Sequence, residues 1–346
     1  MNSFWQRFPA ILTGLGLALV PISMLGMTFP VLGLEILVVA AAYVIILHLK
    51  ERNLKLGSKY IYIPLAVITV LALLSSGDLT SKLLSIALFA IYLAAVNTKD
   101  VKLLGLGVVI GCISVVASSL IGGVRSGGMY QSYNVAVGAI VIGTIMYKSK
   151  YQWVLMTIAL VGLLFTGAEE ALVVIVALGL TGLIRRDWSR KLLLPVLVIG
   201  LILFAGTLTG ATSQLWHTTP TKLEALALGD VDAALGGRMP SYATALEDIR
   251  PLGHGYDPYN FDYTSIHNVP LRALYELGPL AVVAWLFLMG YGLVKIKPKY
   301  TFAALIALSL FDHFLWTFLC TYQFAAIGLA SSSNNDLVFR SEESHE

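Results

Sequence analysis

The chain has 346 residues, 57% of them hydrophobic and 12% charged, with a mean hydropathy of +0.80 and a formal net charge of +3. Soluble domains carry about 25% charged residues, so this composition excludes an ordinary soluble globule and predicts an integral membrane protein. So small and dispersed a net charge also gives no footing to a nucleic-acid partner.

The first segment has a basic start followed by an apolar run that continues past Pro21 to about Thr28. It predicts a first transmembrane helix that serves as an uncleaved signal anchor. Apolar windows long enough to cross a hydrocarbon core of about 30 Å at about 1.5 Å per residue then recur along the chain. They fall at about 9–28, 30–49, 60–76, 83–97, 102–121, 133–147, 152–167, 170–184, 192–210, 270–294 and 300–330. The last is long for one span and is interrupted by Asp312 and His313, so it gives one helix or a hairpin of two. The expected fold is therefore an all-α polytopic bundle of 11–12 transmembrane helices, a single membrane domain over residues 1–346. Cys112 and Cys320 lie in apolar runs without metal or disulfide spacing and read as small buried hydrophobes.

Basic turns occur at 50–59, 97–102, 148–150, 185–191 and 295–299, all on one side of this arrangement, which the positive-inside rule makes cytoplasmic. The opposite side receives Gly77–Lys82, 122–132, 166–170 and a loop at 211–268, which is thereby external. That loop holds three basic residues against seven acidic ones, so it is no generic polybasic headgroup site. It is too long for a plain connector and too rich in aromatics for a solvated coil. Ser241 to Ile249 reads as a short amphipathic helix after Pro240, and the Pro251–Pro258 stretch as tight turns.

The loop and the start of the next span hold most of the chain's chemically useful side chains. Arg238 and Arg250 flank the short helix, and Arg125 sits in a Gly-rich external turn; each offers a planar fork to phosphate oxygens or, alternatively, a salt bridge to a loop carboxylate. His267 opens the re-entry into the apolar region and could take a proton from a hydroxyl, or cap the next helix. His254, between two glycines, is a second candidate. Arg272 and Glu276 follow near the start of a predicted membrane helix, where ionisable groups are expensive and face the protein interior. Glu276 is expected to pair with an arginine or to orient His267. Glu169, Glu170, Asp312 and His313 would suit either an ion path or pairing with arginines. No nucleotide-binding, metalloprotease, nucleophile-elbow or calcium-loop pattern is present, so no cofactor and no metal are expected.

Taken together, Arg238 to Tyr242, the Pro251-to-Gly255 turn with its two glycines, and His267–Asn268 through Leu271, Leu274, Glu276 and Gly278 give a motif order. It resembles that of the O-antigen ligase and O-antigen polymerase superfamily of bacterial envelope glycosyltransferases. Arg125 with Asn134 resembles that family's arginine turn ahead of a helix-opening asparagine. The likeness covers roughly residues 120 to 315. The chain departs from it at Ala168 to Glu170, where the family often has Ser-Arg-Gly, at Tyr242, where a Trp is common, and at Tyr133, where a Pro often precedes the asparagine. The resemblance implies a metal-independent enzyme of the cytoplasmic membrane, with its large loop facing the periplasm or exterior as an active-site cap. Its donor would be a glycan on a polyprenyl diphosphate. Its acceptor would be another lipid-linked unit for a polymerase, or a lipid A core sugar or protein for a ligase, and a chain-length regulator would be a partner protein. Arg125, Arg238 and Arg250 would hold the diphosphate, with His267 as base and Glu276 beside it. Tyr242, His254, Tyr256, Asn268 and Arg272 would line the glycan site, and tyrosines around 256 to 263 would offer stacking faces to sugars. The rival from another class is a polytopic transporter or flippase, although the chain lacks the matched halves common in such proteins.

Overall fold

The computed structural model describes residues 32–52, 54–98, 102–122, 133–146, 152–166, 224–225, 227–257, 266–296, 300–311, 316 and 323–332. Among them the regular structure is all helical, with no strand. The elements are α1 (Leu32–Lys50), α2 (Lys59–Leu74), α3 (Leu79–Asn97), α4 (Lys102–Gly122), α5 (Tyr133–Met146) and α6 (Gln152–Thr166). After them come α7 (Val231–Ala234), α8 (Met239–Glu247), α9 (Val269–Leu277), α10 (Pro279–Lys295) and α11 (Tyr300–Phe311), and then α12 at 323–332. The predicted spans at 9–28, 170–184 and 192–210 lie outside the described residues, as do Arg125, Glu169, Glu170, Asp312, His313, Cys320 and the aromatic stretch from Tyr259 to Tyr263.

Most boundaries fall where charge or a cap interrupts an apolar run. Asp78 closes the start of α3 by accepting from the Ser81 N–H at 2.7 Å, satisfying one of the donors that a helix N-terminus leaves over. Among the boundaries that differ from expectation, α3 starts at Leu79 and not at 83. The loop helix starts at Met239, with Pro240 inside its first turn, where a missing N–H costs nothing. The predicted 270–294 span is two helices, broken at Gly278, whose φ of +84° is left-handed. Of the described helices, Leu79–Asn97 is long and apolar enough to cross a membrane by length and composition; Lys59–Leu74 and Pro279–Lys295 are shorter apolar helices.

The helices pack around one core in which Tyr92, Trp285 and Phe302 are fully buried. In it α3 sits between α1 and α2, α2 against α10, and α10 against α11, which leads through α5 to α6 and α4. Glycines permit the closest approaches: a Cβ at Gly162 would meet the Cys112 side chain of α4 at 2.8 Å, and one at Gly292 would overlap the Phe302 ring. Gly290, in contrast, faces open space. Gly290→Ala is therefore expected to be neutral or to raise the melting temperature slightly, since Ala is favoured over Gly inside a helix by about 0.5–1 kcal/mol.

The two ends of the bundle differ. At one, the Asn97 side chain pairs with the Lys55 backbone, accepting from its N–H at 3.0 Å and donating to its carbonyl at 2.9 Å, and Ser58 and Tyr291 share a hydroxyl contact of 3.4 Å. This brings the described parts of three predicted basic turns, at 50–59, 97–98 and 295–296, to one end; the turns at 148–150 and 185–191 lie outside the described residues. At the other end the α2–α3 turn meets the long polar loop. Ser76 Oγ donates to the His254 carbonyl at 2.7 Å, and the Tyr256 N–H donates to Ser75 Oγ at 3.2 Å.

Candidate functional site

The loop end is built on α9, a nine-residue helix with Asn268 as its cap. Asn268 Oδ1 accepts from the Leu271 N–H at 3.0 Å, and its Nδ2 donates to the Leu310 carbonyl of α11 at 3.1 Å. The residue predicted as a sugar ligand is thus also the joint between α9 and α11. One position earlier, His267 is half-buried, and its carbonyl accepts from the Tyr242 hydroxyl at 3.3 Å. Tyr242 stands one helical turn beyond Arg238, to whose carbonyl its N–H donates at 3.2 Å. Residues four apart share a helix face. Arg238, Tyr242 and His267 therefore form one corner of the site, with Arg238 half-buried at the start of α8.

The far end of α9 carries a second group of residues. The Arg250–Asp257 stretch lies across Tyr275 to Gly278 by backbone contacts: the His254 N–H donates to the Tyr275 carbonyl at 2.9 Å and the Gly255 N–H to the Glu276 carbonyl at 3.1 Å. Both glycine motifs serve this approach. Gly253 (φ +66°) lies so near that a Cβ would overlap the Glu276 carbonyl group, and a Cβ at Gly278 would overlap the Pro251 carbonyl. The P-x-G-x-G and E-x-G elements, more than 20 residues apart in sequence, are two halves of one backbone contact. For Gly253→Ala the left-handed backbone alone costs about 1–2 kcal/mol, to which the overlap adds, so a clear drop in melting temperature is expected. Gly237→Ala also has positive φ but nothing within 4 Å, and should suffer the strain alone.

Three predicted site residues turn inward here. Arg272 and Glu276 are buried, with Arg272 Nε donating to Glu276 Oε1 at 2.6 Å. Arg272 Nη2 donates to the Asp257 carbonyl at 2.7 Å. Glu276 Oε2 accepts from the Trp316 indole N–H at 2.9 Å and from the Asp257 N–H at 3.4 Å. Tyr256 is buried edge-on to the Trp316 ring, 6.0 Å between centroids. Glu276 therefore stands at the opposite end of α9 from His267, roughly 12 Å along the axis for the eight residues from the Asn268 cap at the helical rise. It ties Arg272, the loop and Trp316 together, and does not orient the histidine.

Arg250 and His254 meet on Asp248. The guanidinium forks onto the carboxylate, Nε to Oδ1 at 3.2 Å and Nη2 to Oδ2 at 2.8 Å, and His254 Nε2 reaches Oδ2 at 2.8 Å. His254 Nδ1 faces the Tyr275 carbonyl at 2.9 Å, and its ring stacks on Tyr275 at 4.0 Å. Both ring nitrogens are thus engaged by acceptors. The hydrogen bonds from Arg250 and then His254 hold the Asp248 carboxyl at about 2, below its ordinary 3.8. A carboxyl depressed on folding stabilises the protein above its unfolded pKa, and that contribution is lost as pH falls through the folded value. Wild-type melting temperature should therefore drop between about pH 4 and pH 2 more steeply than that of Asp248→Asn, which has no carboxylate to titrate.

Of the predicted residues, Arg238, Tyr242, His267 and Asn268 come together at the start of α9, and Arg250, His254, Tyr256, Arg272 and Glu276 at its end. Asp248, Trp316 and the Ser75–Ser76 turn were missed. Asp248 could have been found two positions from Arg250, whereas nothing in the spacing of Trp316 points to Glu276. Among the described residues no three His, Cys, Asp or Glu side chains are grouped to hold a metal ion. The chain matches no protein-family model and no curated protein.

Proposed function

We propose that the chain is a multi-span enzyme of the cytoplasmic membrane that transfers a glycan from a polyprenyl diphosphate to the hydroxyl of another lipid-linked glycan, as an O-antigen polymerase does. The observation that carries this reading is the convergence on α9 of three stretches that lie apart in the sequence: Arg238–Tyr242, Pro251–Gly255 and His267–Gly278. They are the stretches through which the chain resembles that superfamily. The membrane reading is supported by large apolar side chains exposed on the outer faces of the helices, such as Leu83, Ile113 and Val283, and by the described parts of three basic turns, at 50–59, 97–98 and 295–296, lying at the end away from the site.

In this reaction the acceptor hydroxyl attacks the anomeric carbon while the bond from that carbon to the diphosphate oxygen breaks. His267, as a neutral imidazole, takes the hydroxyl proton and later yields it to water. Arg238 stabilises the negative charge that gathers on the departing polyprenyl diphosphate. Tyr242 is a positioning residue that holds the His267 backbone beside the arginine helix. Arg272 and Glu276 act on the fold beneath.

Purified protein reconstituted with polyprenyl-diphosphate-linked repeat units should yield longer lipid-linked glycans and release one polyprenyl diphosphate per linkage formed. Absence of both products would sink the polymerase reading. Transfer to a lipid A core acceptor without any elongation would point to a ligase using the same site.

A further inference from the structure

Helix α10 has 17 residues. At about 1.5 Å per residue it is roughly 25 Å long, short of a hydrocarbon core of about 30 Å. Its exposed stripe is apolar throughout, with Leu280, Val283, Phe287 and Val294, and Lys295 ends it at the basic side. An apolar environment anchored at that lysine therefore runs several ångströms past Pro279, and tilt would only enlarge the shortfall. The residues at that level belong to the loop, because the Pro251 and Arg250 carbonyls rest on Gly278, the cap of α10. There Leu246, Ile249 and Leu252 are 55%, 49% and 45% exposed. Three half-exposed large aliphatic side chains thus fall within the seven residues whose backbone, at Arg250 and Pro251, meets the start of α10. Of the three charges between them, Asp248 and Arg250 form a pair, which leaves the exposed Glu247 as the segment's one net charge. Arg250 is neutralised by its fork on Asp248, and His254 closes the same carboxylate from the other side.

We propose that the Leu246–Leu252 segment is seated in the outer boundary of the bilayer, with Leu246, Ile249 and Leu252 among the upper acyl chains and the Asp248–Arg250 pair at headgroup level. This rests on the membrane reading and goes beyond it, since it makes the loop a lipid-bound strap and not a free cap. It sets the Arg250 end of the site at the height where the diphosphate of a membrane-held carrier lies. Acidic residues outnumber basic ones in the loop, so apolar immersion and not charge attraction provides the binding.

The test uses the full chain with Cys112→Ala and Cys320→Ala, carrying a single bimane-labelled cysteine at Leu252, at Ile249 or at Leu286 in the exposed middle of α10. Each variant is reconstituted in phosphatidylethanolamine–phosphatidylglycerol vesicles. The labels at Leu252 and Ile249 are expected to emit blue-shifted and to lose most of their emission to lipids with a doxyl group near the carbonyl end of the acyl chain. Iodide in the water should quench them little. Leu286 should be quenched most by doxyl near the methyl end. If Leu286 behaves so while Leu252 and Ile249 answer to iodide alone, the strap is overturned and the membrane reading stands. Protection of both from lipid and iodide alike would mean that protein covers them, which also overturns it. If Leu286 is untouched by either doxyl lipid, the membrane reading falls and the strap with it.

Discussion

His267→Ala is expected to slow glycan transfer by about 10²–10⁴-fold, the usual contribution of a positioned general base, while the protein remains folded. The loss should fall on kcat, because a base acts on the proton only as the new bond forms. Folding should be spared because the His267 carbonyl that accepts from the Tyr242 hydroxyl belongs to the backbone, which an alanine retains. Arg238→Ala should cost about 10²–10³-fold, the scale for removing one group that stabilises developing negative charge. It should also raise KM for the lipid-linked donor, since in the proposed reaction the same guanidinium would face the diphosphate in the ground state. Steady-state kinetics with varied donor separates the two. If His267→Ala retains wild-type kcat while Arg238→Ala is inactive, the base lies elsewhere and the diphosphate site survives. Tyr242→Phe gives a third point. It removes the hydroxyl that joins the arginine helix to His267 and should lower kcat modestly, leaving donor KM unchanged.

The helices themselves were largely legible, because the physics that bounds them is local. The run predicted at 102–121 is the helix Lys102–Gly122, and the one at 152–167 is Gln152–Thr166: a glycine follows each helix end and a charge stands three residues past it, Arg125 and Glu169. The break inside 270–294 was also signalled. Leu277, Gly278 and Pro279 form a helix stop, a left-handed glycine followed by a residue that cannot continue the ladder. Hydropathy averaged over a window hides such a stop, because one glycine scarcely changes the mean. What the sequence could not show is which elements meet. Helices that are apolar all round carry no stripe to say which face packs on which neighbour. Nothing in the α2–α3 turn announces that Ser75 and Ser76 hold the backbone of His254 and Tyr256, nor that the Trp316 indole caps Glu276. The glycines of the Pro251–Gly255 turn could be read as flexible or as phosphate-approaching. They are neither: Gly253 is there because the carbonyl of Glu276 occupies the space a side chain would need.

That arrangement gives the second large effect. Glu276→Ala is expected to destabilise the protein by about 3–5 kcal/mol, the range for removing one partner of a buried ion pair. Three donors lose their acceptor together: Arg272 Nε, the Trp316 indole N–H and the Asp257 N–H. The first of them carries a charge buried to 2% exposure. Glu276→Gln keeps an oxygen for Trp316 but still strands that charge, so it should recover only part of the loss. Arg272→Met with Glu276→Leu removes both charges and fills similar volume, and should be more stable than either single variant. The coupling energy is read from the melting temperatures of the four proteins in one detergent. The same double variant decides what Glu276 does. Both of its oxygens are engaged by the protein, and it stands a helix length from His267, so its effect on transfer should run through the fold. The folded double variant should then keep transfer within about tenfold of wild type, well short of the 10²–10⁴-fold that a lost base would bring. A folded double variant that loses transfer as fully as His267→Ala would instead make Glu276 a member of the reacting group.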